Sequence, residues 1–371
     1  MTCIYLIRHA EAEGNLYRIV QGQGNSNLTT RGWRQVAALE KRFSAIPVDA
    51  VYASDLYRTC ATATAIYRPK GLPLQRRRDL REIYVGDWEQ QTWGDIARTQ
   101  PQQLEWFTHQ LHRWHISGAE TPQEVLKRVR EAVFSIAAEN DGKTVAVVSH
   151  GYAIRLLLAQ LQGIPLEGTG ETPTGQNTAV SLLEYEAGQM RVVIRDDISH
   201  LQTPEYLATE KPRRKIDPLE PGLWFCPPQT QSQREKLVSL AAGAWAEGAM
   251  TGGFDPQRLL RSVAARPTLL GYSGDRAVGL VQLGPQAGWI SLACIQKDFR
   301  QRGFGIQLIG QAVQWTRAQG GGTLHMALAE GSAAEDFLRG CGFAPDGHTP
   351  DGRTVFTKDI SFDPEILRLG L

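Results

Sequence analysis

The chain has 371 residues, 42% of them hydrophobic, with 40 lysines and arginines against 39 aspartates and glutamates. That length exceeds one compact core and predicts two domains. The balanced charge excludes the broad basic field of a nucleic-acid binder, and no apolar run approaches the roughly 20 residues that span a bilayer. Cys3, Cys60, Cys226, Cys294 and Cys341 are odd in number and never spaced Cys-x-x-Cys, which argues against a disulfide framework or a zinc site and predicts a reducing, cytoplasmic setting. Met1 leads straight into apolar sequence with no basic region or cleavage site, so no secretory leader is expected.

Along the first half, strand-like and helix-like segments alternate. Residues 3–7 read as a buried strand ending at Arg8-His9, and 30–43 carry a helical pattern with a threonine cap. A short strand at 50–52 precedes a helix at 58–67. Thr121, Pro122 and Glu124 supply the start signals of a helix over 122–138. The very apolar 144–148 ends at Ser149-His150, followed by a helix at 154–161. Residues 179–185 and 190–194 form two strands around Gly188. This alternation predicts a mostly parallel sheet with helices on both faces.

The break falls at 206–222, where Lys211-Pro212-Arg213-Arg214-Lys215 is followed by Asp217-Pro218-Leu219-Glu220-Pro221-Gly222. Prolines and a solvated charge cluster suit an exposed linker between domains at 1–205 and 223–371. Beyond it come a helix at 233–245, strands at 268–271, 277–283 and 289–295, a helix reaching 317, a strand at 324–327 and a helix at 333–339.

Functional side chains recur at strand ends, where open α/β sheets collect their chemistry. Arg8-His9 offers a fixed cation beside an imidazole able to attack phosphorus. Arg58 stands just past a second strand, and Ser149-His150-Gly151 repeats the grammar of strand, histidine and permissive glycine. Between them Leu80-Arg81-Glu82 through Gly86-Asp87-Trp88-Glu89 supplies carboxylates. Phosphoryl transfer through a covalent intermediate needs these parts: a nucleophile, cations around the equatorial oxygens and an acid for the leaving oxygen.

These stretches resemble the histidine phosphatase superfamily, whose relatives include cofactor-dependent phosphoglycerate mutase. The opening Leu6-Ile7-Arg8-His9-Ala10-Glu11-Ala12-Glu13-Gly14-Asn15 is similar to its signature. Ser54 to Thr59, the Glu82 segment, Gly118-Ala119-Glu120-Thr121 and Ser149-His150-Gly151 follow in order. The resemblance implies a phosphoglycerate mutase-like three-layer α/β/α domain. It implies His9 as the nucleophile that becomes phosphohistidine and Glu82 as proton donor. Arg8, Arg58 and His150 would clamp the phosphoryl group, His150 carrying an extra cation. Asn15, Gln21, Gly22 and Gly151 would lie on the substrate side, with no metal or cofactor required. Ala10, Ala12, Gly14, Gln90 and Tyr152 depart from the usual pattern without removing a reacting group, and they bear on the substrate pocket. Glu82-Ile83-Tyr84-Val85-Gly86-Asp87-Trp88-Glu89 looks like the phosphatase branch, so hydrolysis is favoured over the mutase reaction. His109, His112 and His115 are read as a helical cap over the pocket, one of them able to touch substrate, and Trp33 and Trp93 as packing or surface residues.

Residues 289–343 carry a second resemblance. A strand with Leu292, Cys294 and Ile295, then Arg300-Gln301-Arg302-Gly303-Phe304-Gly305 opening a helix, is a phosphate-cradling arrangement of backbone N–H groups. The whole looks like a GNAT-type N-acetyltransferase, an α+β acyl-CoA-binding domain. That implies acetyl-CoA with its pyrophosphate on residues 300–305 and its thioester against Cys294 and Ile295. The tyrosine that often serves there as general acid aligns with Leu338, and an often-present asparagine with Gly331, which leaves a sensing or binding role as the alternative to acetyl transfer.

The chain is therefore read as a bifunctional phosphatase–acetyltransferase, both activities acting on a small phosphorylated amine. Its partners would be a phosphomonoester and acetyl-CoA, with neither nucleic acid nor membrane; a homodimer is compatible with the sequence.

Overall fold

The computed structural model describes residues 1–210, 220–246 and 254–368; the basic cluster at 211–215 lies outside them. The first half builds one six-stranded sheet from β1 (Thr2–Arg8), β2 (Ala50–Ser54), β3 (Leu74–Arg77), β4 (Thr144–Ser149), β5 (Val180–Glu186) and β6 (Gln189–Asp197). Its order is β3-β2-β4-β1-β5-β6, with the first four strands parallel and the last two antiparallel. Side chains alternate across it. Ile4 and Leu6 enter one core with Val145 and Val147, whereas Ile7 and Val148 enter the core on the other face.

The covering helices are α1 (Glu13–Tyr17), α2 (Thr30–Phe43), α3 (Tyr57–Lys70), α4 (Trp93–Thr99), α5 (Pro101–His109), α6 (Pro122–Glu139), α7 (Gly151–Leu161) and α8 (Pro204–Thr209). The start signals operate as expected. The Thr29 hydroxyl accepts from Gly32 N at 2.9 Å, and Thr121 and Glu124 close a reciprocal capping box. Trp88 is the largest fully buried side chain and meets Trp93, Phe107 and Trp114 at ring distances of 5.5–6.3 Å.

The second half contains β7 (Trp224–Cys226), α9 (Gln231–Ala246), α10 (Pro256–Ala265), β8 (Thr268–Ser273), β9 (Arg276–Leu283), β10 (Ile290–Ile295), α11 (Phe304–Ala318), β11 (Thr323–Leu328), α12 (Glu335–Gly340), β12 (Ala344–His348), β13 (Thr354–Asp359) and α13 (Pro364–Arg368). Sheets β10-β9-β8-β7 and β11-β13-β12 meet at a single parallel bridge, Trp289 to His325.

The described ends of 206–222 differ from an open tether. Helix α8 runs to Thr209 under a Thr203 cap, Tyr206 is buried, and Glu210 pairs with Arg31 at 2.8 Å, so this end belongs to the first half. At the other end Arg18 donates to the Glu220 carbonyl, and Leu223 is completely buried. The chain also returns: the Phe362 ring lies 4.9 Å from that of Tyr57, tilted at 56°, and Ile366 fills the first half's core beside α2 and α3. Replacing Trp88 by Ala removes the centre of the aromatic cluster and is expected to cost about 3–5 kcal/mol in denaturant unfolding; a loss below about 1 kcal/mol would show that the cluster carries little of the stability.

Candidate active site

Strands β1 and β4 pair in register, Arg8 opposite Ser149, so the next residue on each, His9 and His150, stand side by side. Their rings lie 5.3 Å apart. The His9 Nδ1–H donates to the Ala10 carbonyl at 2.8 Å, which leaves the Nε2 lone pair for attack. Arg58, on the first turn of α3, is 1% exposed and spends two guanidinium donors on the Gly24 and Gly22 carbonyls at 2.8 Å each. Arg8 donates to the Gly175 carbonyl, and Gly151 lets its guanidinium lie against the start of α7, where a Cβ would sit 3.0 Å from it.

Glu82 projects from the loop after β3. Its carboxylate accepts from the backbone N–H of Ile83, Tyr152 and Ala153, each at 3.0 Å, and so caps the N-terminus of α7. The loop is stapled from behind. Arg128 on α6 donates to the Arg81 and Glu82 carbonyls at 2.7 and 2.8 Å and pairs with Glu120 at 2.7 Å. Arg81 grips Asp55 through two bonds of 2.5 and 2.6 Å.

Burial, reinforced by the guanidiniums of Arg58 and Arg8, holds the His9 imidazole well below its usual range. His150 is depressed in the same way, by burial first and then by Arg58 and His9. Both rings are therefore neutral at pH 7. Without a bound anion, two neighbouring guanidiniums and a dry setting oppose the extra positive charge expected on His150; a bound dianion would oppose it less. Burial also lowers Arg58, to about 10, which leaves it charged at neutral pH. Arg8 Nε and both ring nitrogens of His150 are buried without a hydrogen-bond partner. Such groups are costly unless a ligand satisfies them.

A cavity of about 500 Å³ opens here. Arg8, His9, Arg58, Glu82, Asn15, Gln21 and Gly151 line it; the completely buried His150 is not among the lining residues. Gly22 does not; its carbonyl instead orients Arg58. The cap helix contributes Leu104, Phe107 and Thr108 in place of His109, His112 or His115, and those histidines form no metal-ligating group among the described residues. Trp93, read from sequence as packing or surface, lines the cavity, whereas Trp33 is 41% exposed. Tyr152 and Arg155 on α7 line it too. Tyr152 stacks on Phe107 at 4.9 Å, and its buried hydroxyl has no partner. The helical period placing 151, 152 and 155 on one face was the available signal.

In the second half Gln301 and Gly303 have φ of 60° and 76°. This curls the backbone ahead of α11 into the shape that presents amide donors to a phosphate. Arg300 Nε donates to the Ile295 carbonyl at 3.0 Å, tying the loop to β10. Leu338 is 1% exposed and belongs to the core, while Phe337 stands 3.0 Å from where a Gly305 Cβ would lie.

The model of the histidine phosphatase superfamily (branch 1) matches residues 4–197. The chain belongs to the histidine phosphatase superfamily. It also carries a domain of the acetyltransferase (GNAT) family, matched over residues 234–343. Among similar proteins, the "Probable phosphoglycerate mutase GpmB" of Salmonella typhi is 29% identical over 209 residues, covering 55% of this chain and 97% of that protein. The structure of Bacillus stearothermophilus YhfR is 32% identical with a TM-score of 0.53, covering 54% of this chain and all of that one. This is an enzyme with a phosphatase domain of that superfamily. No helix among the described residues is long and apolar enough to cross a membrane.

The depressed imidazoles set an acid limit. The unfolded chain takes up protons on His9 and His150 below about pH 6.5 and the folded chain does not, so each ring removes up to about 1.4 kcal/mol of stability per pH unit below that point. Melting curves between pH 7.5 and 5.5 should fall accordingly, and His150→Asn should flatten the fall; an unchanged slope would contradict a buried neutral His150.

Proposed function

We propose that the first domain hydrolyses a small phosphomonoester through a phosphohistidine at His9. The observation that carries this reading is the convergence of a neutral His9, its Nε2 left for attack, with Arg58, Arg8 and His150, the last two carrying buried nitrogens without a partner. His9 Nε2 attacks phosphorus while the bond to the leaving oxygen breaks, and the Glu82 carboxyl gives that oxygen its proton. Arg8, Arg58 and the His150 N–H hold the equatorial oxygens as charge redistributes. Glu82 must exchange a contact with the α7 amides for the leaving group. As carboxylate it then takes a proton from water, whose oxygen attacks phosphorus and breaks the P–N bond. Asn15, Gln21 and Gly151 face the substrate.

Hydrolysis is favoured over phosphoryl return because Ile19, Val20, Trp93, Leu104 and Phe107 give the cavity apolar lining that a second phosphate would not use.

The second domain is read as binding acetyl-CoA on Arg300, Gln301, Arg302, Gly303, Phe304 and Gly305, with Cys294 and Ile295 beside the thioester, which would supply the acetyl group. The left-handed Gln301 and Gly303 fit a pyrophosphate. Transfer to an amine would depend on positioning, since neither Leu338 nor Phe337 can protonate a thiolate. That feature favours acyl-CoA sensing as the second reading. A phosphorylated amine used by both domains accounts for the fusion, and five free cysteines suit a cytoplasmic setting.

Brief reaction with an aryl phosphate followed by mass spectrometry should find phosphate on His9, and His9→Ala should abolish turnover. Glu82→Gln should cost about 10²–10⁴-fold with alkyl leaving groups and far less with nitrophenolate; equal losses across leaving groups would remove Glu82 as the acid. Calorimetry with acetyl-CoA, followed by thiol release over a panel of phosphorylated amines, separates transfer from sensing: saturable binding without thiol release would favour the sensor.

A further inference from the structure

The stretch 14–21 has two faces. Gly14, Asn15, Arg18, Ile19, Val20 and Gln21 line the phosphatase cavity, yet Tyr17 and Ile19 belong to the hydrophobic core of the acetyltransferase domain, with Leu308, Ile309 and Ala312 of α11. The fit is close: a Cβ on Gly310 would lie 2.6 Å from the Tyr17 side chain. At the head of α1, Glu13 is 5% exposed and pairs with Arg317 of α11 at 2.6 Å. At its tail, Arg18 holds the Glu220 carbonyl.

From there the chain enters the same wall a second time. Pro221 lines the cavity. Two residues on, Leu223 N donates to Gln307 of α11 at 2.8 Å, and Leu223 O accepts from Thr92 at 3.0 Å. Phe225 N donates to Asp95 at 3.2 Å. One helix of the second domain thus holds both pieces of the wall, while the reacting groups hang from β1, β4, α3 and the Glu82 loop.

The geometry points to α11 as a positioning element of the phosphatase site, holding 14–21 and Pro221 as the wall that selects the organic part of the phosphomonoester. This rests on the phosphatase reading above. Ile19, Val20 and Pro221 line the cavity together with Trp93, Leu104 and Phe107, and Trp93 N donates to the Arg18 carbonyl at 3.0 Å, so the part selected carries an apolar face, and the phosphoryl clamp lies outside its influence. Arg317 and Gln307 touch neither substrate nor reacting atoms; they act through α1 and through Leu223.

The test uses the full chain with 1-naphthyl phosphate as substrate and inorganic phosphate as competitive inhibitor. Arg317→Met leaves Glu13 buried without its cation and frees α1. The KM for 1-naphthyl phosphate is expected to rise roughly 3- to 30-fold, with kcat and the phosphate Ki within about twofold of the parent. Arg317→Lys, which keeps the charge, should restore KM, as should the neutralised pair Glu13→Gln with Arg317→Met in part. A folded Arg317→Met protein with unchanged KM overturns the proposal, as does a phosphate Ki that rises in parallel, because general loosening would move both. Should Arg317→Met not fold, Pro221→Gly alters the wall without touching the ion pair, and an unchanged KM there has the same force. Absence of turnover in the parent would strike the phosphatase reading alone; calorimetric affinity for 1-naphthyl phosphate, compared between the parent and the same variants, then decides whether α11 holds the wall.

Discussion

The pairing of β1 with β4 is the constraint on which the first site depends. A parallel ladder has a side-chain period of two, so a slip of one residue would turn Ile4, Leu6, Val145 and Val147 out of their core. Apolar burial therefore fixes the register. That register makes Arg8 and Ser149 neighbours and sends His9 and His150 off adjacent strand ends into one dry corner. The setting of His9, the proposed nucleophile, is in this sense a by-product of core packing two residues away.

What the corner does to its occupants follows from the same burial. Guanidiniums are too basic to lose their protons there, and imidazoles are not. Arg58 keeps its charge by leaning on backbone carbonyls, and the rings yield theirs. The result is a pair of fixed cations beside two neutral nitrogens, a division of labour that arises from the difference in intrinsic basicity.

Much of this was legible in the sequence because it rests on local signals. The apolar run before Arg8-His9, the Thr121–Glu124 capping box and the Gly303 turn each carry their structure within a few residues, and the same holds for the order of the catalytic motifs. What was hidden depended on contacts across long stretches of chain. Trp93 read as packing because nothing near it tells that Phe107 and Tyr152 complete an aromatic wall. Nothing local marks Arg128 within the helical pattern of 122–138, yet its guanidinium reaches back more than forty residues to hold the Glu82 loop. The three histidines drew notice by their type, and the cap touches the cavity through Leu104 and Phe107 instead. Helix α1 is only five residues long, too short for any periodicity, and its two-faced role emerges only when α11 is present beside it.

The returning segment gives the molecule a timing problem. Ile366 is 1% exposed among the side chains of α2 and α3, and Asn27 donates to the Ser361 carbonyl at 2.7 Å. These residues leave the ribosome only after the whole acetyltransferase domain has been made. Until then the older half has a gap in its core, a defect worth on the order of a few kcal/mol. The two halves do not mature one after the other like beads on a thread; the first is finished by the end of the second.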